Sequence, residues 1–564
     1  MQEVQRKTPG VYVTELNAFP PSIVGIETAI PAFIGYTEKA NLSGESYTMK
    51  PLRIASLADF EEVFGKAPPA KFKLTEVSTP AQPPDPNKPS EPAEPSDIEL
   101  GTGDAKKRYK IEPANPLFYL YYSLRLFYAN GGGDCYVVSV DDFTSAVDDK
   151  HLLSGLDAIH DEIGPTMLVV PDALLLNEAS FNIVIVAMLS QCGNLGDRVA
   201  ILDVKGSDQM APAVMPDKTI TDLITAFRNG VGTEFIKYGM AYFPAVQASL
   251  VQESDLSLAN LDVDSVRLLS TEVTRLFPND KSLTDRLAAA TTGAKALAKT
   301  NDEAVTEAEE TAKDTAENAP TDQQVAAAVT LAKAVAAASP AAAAARLQSV
   351  DNDLRSAMPA LKRCYAQMAA KLNILPTSGA MAGVYAQVDR TRGVWNAPAN
   401  ISLHSVVDTT FKITAKNQED LNVPTEGKAI NAIREFVGRG TLVWGARTLD
   451  GNSDDWRYIQ VRRSLIYVEQ SVKAALNQFV FAANDGNTWV AVTAMISNFL
   501  QGLWSQCGLL GATASEAFTV QCGLGTTMTG LDVLEGYMRV QVTLQMIHPA
   551  EFIELTFKQQ MQGV

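Results

Sequence analysis

Between residues 135 and 243 the chain alternates runs that are apolar at nearly every position with stretches of helical character. The runs are Cys135-Tyr136-Val137-Val138-Ser139-Val140, Thr166-Met167-Leu168-Val169-Val170, Arg198-Val199-Ala200-Ile201-Leu202-Asp203 and Tyr238-Gly239-Met240-Ala241-Tyr242-Phe243. A strand that is apolar on both faces must be covered on both, and helices between such strands supply the cover. With helices expected near residues 180–191 and 219–228, the pattern predicts an α/β domain built on a mainly parallel sheet.

The regions around this core follow other rules. In residues 9–14, Val11 and Val13 alternate with Tyr12 and Thr14, and Pro20-Pro21 interrupts any regular structure, so residues 1–25 read as an extended arm. A second apolar stretch covers residues 30–36. From about residue 75 to 107, prolines recur among Asp, Glu, Ser and Lys, the composition of a partly polyproline loop. From about residue 255 to 371 lies a helical insertion, rich in alanine and thin in core-forming side chains. Both insertions belong to a middle domain over residues 26–400.

Residues 401–564 read as a C-terminal α+β domain. Leu465, Val468, Val472, Ala475, Leu476 and Phe479 recur at helical steps, residues 484–487 stop that helix, and Trp489, Val492, Ile496, Phe499 and Leu503 mark a second one. Val540, Val542, Leu544 and Met546 alternate with polar residues as a half-buried strand. Ile553, Leu555 and Phe557 alternate with Glu554, Thr556 and Lys558, which predicts a closing strand over residues 551–558.

Composition removes several function classes. Acidic residues outnumber basic ones 65 to 47, and no basic stripe marks a nucleic-acid surface. No apolar run is long enough to span a bilayer, so no direct membrane insertion is expected. The opening residues lack a basic-then-apolar signal, and the expectation is synthesis in the cytoplasm. The five cysteines are odd in number and lack CxxC spacing, and the four histidines lack HExxH or HxH spacing, so neither a disulfide framework nor a metal site is expected. GxxxxGK[ST] is absent, and Gly131-Gly132-Gly133 precedes a strand, which makes it a turn and not a phosphate cradle; no cofactor is expected.

Some polar residues remain as candidates. Asp172 and Asp203 each follow a strand of the expected sheet, where ligands of such sheets gather. Paired carboxylates there could hold a divalent cation or work as acid and base in a hydrolase. Helix capping is the competing and commoner role. Arg457, Arg462 and Arg463 surround the start of the first C-terminal helix, either as a solvated face ion-paired with Asp454 and Asp455 or as an interface clasp on an acidic partner.

The two ends carry the most informative pattern. Val11, Tyr12, Val13 and Thr14 at one end, and Phe552, Ile553, Glu554, Leu555, Thr556 and Phe557 at the other, are β-type segments with little local core. Such segments either pair inside their own subunit or add to a neighbour's sheet. Spacing alone leaves both pairings open.

The residues resemble the contractile tail sheath proteins of phage tails and phage-like injection systems. The resemblance begins at Thr8-Pro9-Gly10-Val11-Tyr12-Val13-Thr14-Glu15 and continues through Pro31-Ala32-Phe33-Ile34-Gly35, Phe127-Tyr128-Ala129-Asn130-Gly131-Gly132 and Gly393-Val394-Trp395-Asn396-Ala397-Pro398. It is densest at Trp456-Arg457-Tyr458-Ile459-Gln460-Val461-Arg462-Arg463, Glu516-Ala517-Phe518, Thr527-Met528-Thr529 and Pro549-Ala550-Glu551-Phe552-Ile553. The resemblance implies a non-enzymatic subunit, synthesised in the cytoplasm, that ends in a phage tail or phage-like particle. It implies six-fold rings stacked around an inner tube protein, with baseplate and cap or terminator proteins as further partners. It also implies strand exchange between subunits, and contraction that drives the tube through a target envelope. A surface adhesin or capsid-like shell would polymerise too, without a tube.

Overall fold

In the computed structural model, which describes residues 22–77, 96–100, 106–209, 217–276, 351, 355 and 358–555, the apolar runs become neighbours in one nine-stranded sheet. Its strands are β1 (Pro31–Thr37), β2 (Leu52–Ile54), β3 (Cys135–Asp142), β4 (Met167–Val169), β5 (Val199–Asp203), β6 (Gly239–Phe243), β7 (Ile401–Ser402), β8 (Asn431–Phe436) and β9 (Gly440–Trp444). They lie in the order β7-β9-β8-β6-β5-β4-β1-β3-β2. Pairings from β3 across to β8 are parallel, and those of β2, β9 and β7 at the margins are antiparallel. The sheet is therefore mainly parallel, as the sequence predicts, and the stretch at residues 30–36 supplies an interior strand, between β4 and β3.

Successive side chains of β1 point to opposite faces, and each face receives helices. Phe33 meets Phe127 of α1 (Leu120–Ala129) with ring centroids 5.3 Å apart. On the other face Ile34 meets α2 (Asp149–Ala158) at Gly155, where a Cβ would fall 2.6 Å from Ile34 and from Val140. The expected helix near residues 180–191 is α3 (Glu178–Leu195), packed beside α2. The one near 219–228 is present as Asp217–Gly230. A further helix, α4 (Ser378–Arg392), crosses α1 so closely that a Cβ on Gly379 or Gly383 would lie 2.5 Å from the carbonyl oxygen of Ser123 or Phe127.

The insertions are narrower than expected. Phe72–Val77 and Ile98–Leu100 both pair with Lys107–Pro113, so the margins of the proline-rich stretch are a three-stranded sheet. Val266, Leu269, Leu361, Tyr365 and Met368, all inside the span expected as a thin insertion, are buried in the main core. Residues 78–95 and 277–350 lie outside the described residues.

The domain division expected after residue 400 also shifts. β7, β8 and β9 complete the main sheet, and Phe411, Leu421, Ile433, Val443 and Ile459 share its core. These strands cover the edge of β6, which would otherwise stand open. The second core begins inside α5 (Ile459–Leu476): Ile466 faces the first core, while Val468 joins Val492, Met495, Ile496, Leu500 and Leu503 of α6 (Gly486–Ser505) in the second. In the break between these helices Asp485 caps α6 by accepting the Thr488 N–H at 3.0 Å.

Candidate assembly site

The two candidate aspartates are structural. Asp172 is fully buried in the turn after β4. Its Oδ1 accepts the N–H groups of Tyr119 at 2.6 Å and Leu120 at 3.2 Å, at the start of α1, and its Oδ2 accepts the Tyr36 N–H at 2.9 Å. Gly35 makes the room, since a Cβ there would fall 2.4 Å from Oδ2. Asp203 closes β5, and its Oδ1 accepts the N–H groups of Thr377 at 2.8 Å and Ser378 at 3.0 Å, which open α4. The chain's own carboxylates thus fill the helix N-termini where an anionic ligand would otherwise sit. Burial pushes both carboxyls up to about 6, against the hydrogen-bond donors that lower them. Among the described residues no group of three or more His, Cys, Asp or Glu could hold a metal ion. The acid–base pair expected as an alternative is corrected to a pair of caps.

The three arginines separate. Arg457 pairs with Asp454, as the solvated reading expects. Arg462 and Arg463 are buried, a correction to that reading. They fall at helical spacing on the same face of α5 as Ile459 and Ile466, and that face lies on the main core. Arg462 reaches Glu469 at 2.9 Å and lies over the rings of Trp456 and Tyr238, 4.9 and 5.0 Å from their centroids. Arg463 grips Asp389 of α4 with two bonds of 2.9 and 2.6 Å, covers the Tyr385 ring and donates to the Thr28 carbonyl at 3.0 Å. Beneath it the hydroxyls of Tyr385 and Tyr242 share a buried hydrogen bond of 2.7 Å.

Val11, Tyr12, Val13 and Thr14 lie outside the described residues. The segment that follows them runs along α5. Ile26 donates its N–H to Ser471 Oγ at 3.1 Å, and a Cβ on Gly25 would overlap the Tyr467 ring. In the second domain β10 (Phe518–Gln521) and β11 (Gln541–Leu544) form an antiparallel sheet of two strands. Apart from a single bridge between Leu509 and Met546, no further strand pairs with it among the described residues. Phe518, Val520, Val542 and Leu544 rest half-buried on the second core. Of the span expected as a closing strand, 551–558, residues 551–555 carry no strand pairing among the described residues, and residues 556–558 lie outside them. Phe552, Ile553 and Leu555 are 74%, 78% and 77% exposed. A β segment without a neighbour has no hydrogen-bond partners to hold it.

The tail has one firm attachment that sequence reasoning did not single out. Glu551 meets Arg447, Asn422 and Tyr458. Its only sequence signal is its place in the Pro549-Ala550-Glu551-Phe552-Ile553 stretch.

Comparison with known proteins follows the same division. Residues 452–560 match the family model described as the phage tail sheath C-terminal domain. None of the curated proteins matches the chain. Among solved structures, the PVC sheath complex of an extracellular contractile injection system in its contracted state is 23% identical, with 99% of each chain covered and a TM-score of 0.53. A chain of the anti-feeding prophage (AFP) baseplate is 25% identical over 99% of this chain and 100% of that one, with a TM-score of 0.53. The AFP helical sheath in its contracted state is 24% identical over 98% of this chain and all of that one, with a TM-score of 0.54. No helix among the described residues is long and apolar enough to cross a membrane. The chain thus carries a phage tail sheath C-terminal domain at residues 452–560 and has the fold of these injection-system sheath structures along nearly its whole length.

Proposed function

We propose that this chain is the sheath subunit of a phage tail-like contractile injection system. Copies assemble as stacked six-fold rings around an inner tube protein, bounded by baseplate and cap proteins. Contraction of the metastable lattice drives the tube through a target envelope, and the energy lies in subunit packing. The observation that carries the reading is the tail sheath C-terminal domain at residues 452–560. The strand exchange within it draws support from two complementary features of that domain. One is a two-stranded sheet with no further strand beside it among the described residues, and the other is an exposed apolar tail with no strand pairing among them. Val11 to Thr14 of one copy and Phe552 to Phe557 of another supply the added strands.

Negative-stain microscopy of the purified chain, with and without its tube partner, tests the reading. Tubular or ring-stacked particles are expected, and a preparation of compact monomers alone would refute it. Deleting residues 1–14 leaves a folded, unpolymerised subunit; long normal sheaths from that truncation would refute the strand exchange while sparing the sheath.

A further inference from the structure

We propose that Glu551 is a positioning residue for assembly, a clasp that fixes the point and direction in which the exposed C-terminal segment leaves the body. The inference rests on the sheath reading above and names the contact that makes the tail a defined donor.

The clasp is built from distant parts of the main domain. Arg447, 3% exposed, follows β9. Its guanidinium is first oriented by the carbonyls of Asn422 and Gly451, each at 3.2 Å. Glu551 then binds it with both oxygens: Nε reaches Oε1 at 3.0 Å and Nη2 reaches Oε2 at 2.5 Å. Asn422 Nδ2 donates to Oε1 at 2.9 Å, and the Tyr458 hydroxyl donates to Oε2 at 3.3 Å. The Tyr458 ring also packs on His548, 5.4 Å between centroids, which holds the chain just before Pro549. A two-pronged guanidinium–carboxylate bond fixes direction as well as distance. Immediately after it every described side chain is exposed.

The location connects the two ends of the chain. Tyr458 is the residue that precedes α5. The root of the N-terminal arm is bonded to that same helix through Thr28 with Arg463 and Ile26 with Ser471. The roots of both arms are therefore bonded to one helix or to the residue that opens it, Glu551 to Tyr458 and Thr28 and Ile26 to Arg463 and Ser471. A strand released at its root would have to be ordered over more residues before its first main-chain bond formed.

The test uses Glu551→Ala and Glu551→Gln in the full chain. Both variants are expected to keep the helical circular dichroism of the unaltered protein. Chymotryptic cleavage after the exposed Phe552, one residue beyond the clasp, should quicken at least tenfold, and pelletable sheath should fall at least tenfold. Mixed at one part in ten with the unaltered chain, the variants should enter particles through their intact acceptor sheet and shorten them. A merely misfolded subunit would not enter. Variants that polymerise like the unaltered chain, or that stay out of mixed particles, would overturn the clasp. Should the unaltered chain form no particles, the sheath reading fails, and the clasp is then judged on cleavage after Phe552 alone: an unchanged rate in the variants overturns it.

Discussion

Arg463 and Asp389 are 4% and 5% exposed at their side chains, and their charges have no solvent to fall back on. Removing one partner of such a pair strands the other, so Arg463→Ala should cost about 3–5 kcal/mol in urea unfolding. Replacing both with apolar residues of similar size should recover most of that loss, because the pair itself had its own desolvation to overcome. Glu551 lends itself to a pH test. Burial opposes its charge, but the bonds from Arg447 and Asn422 outweigh burial and hold its carboxyl below the usual glutamate range. A carboxyl with a lowered pKa in the folded chain contributes stability that is complete above its unfolded pKa of about 4.3 and disappears as pH falls through the folded value. The stability gap between the unaltered chain and Glu551→Gln should thus be open at pH 7 and close below about pH 4. A gap that stayed constant from pH 7 to 3 would contradict the charge-based contact.

Elements in this chain meet where small residues let them. At Gly383, helix propensity and packing pull in opposite directions. Alanine in a helix gains about 1 kcal/mol over glycine. Its Cβ, however, would sit 2.5 Å from the Phe127 carbonyl oxygen, against backbone that cannot turn aside. Overpacking of this kind costs about 1–3 kcal/mol, so after the propensity gain Gly383→Ala should destabilise by up to about 2 kcal/mol. A thermal scan showing stabilisation would mean that α1 and α4 separate freely. The arms obey a similar balance. Ordering one residue costs about 1–2 kcal/mol, while each main-chain hydrogen bond nets about 1 kcal/mol. An arm therefore gains from neighbours only when its root is already held and its apolar side chains are covered.

On the scale of the molecule, two cores share α5, and the insertions hang from closed substructures. Phe72–Val77 ends opposite Arg108, and Ile98–Leu100 begins opposite Tyr109, on either side of the same central strand. Two strand spacings, roughly 10 Å, separate those ends. Removing residues 80–95 leaves four residues between them, enough to reach roughly 15 Å. The deletion should leave folding and sheath assembly intact, as measured by pelleting and electron microscopy. Loss of assembly would give the proline-rich stretch a role in the lattice.

The chain's periodicities determined the apolar strands and flanking helices of the central core and that the sheet is mainly parallel. Those properties depend on neighbours a few residues apart, and a linear reading contains them. The partners of buried polar groups came only with the tertiary structure. Nothing local to Gly35 named Asp172 as the group that approaches it. Arg462 and Arg463 read as a solvated face or an interface clasp, because Asp389, the partner that makes burial of Arg463 affordable, lies 74 residues earlier. The division of the cores inside α5 was hidden for the same reason. Strands 401–444 belong to the main sheet because of the edge they cover, and an edge exists only once the sheet has formed.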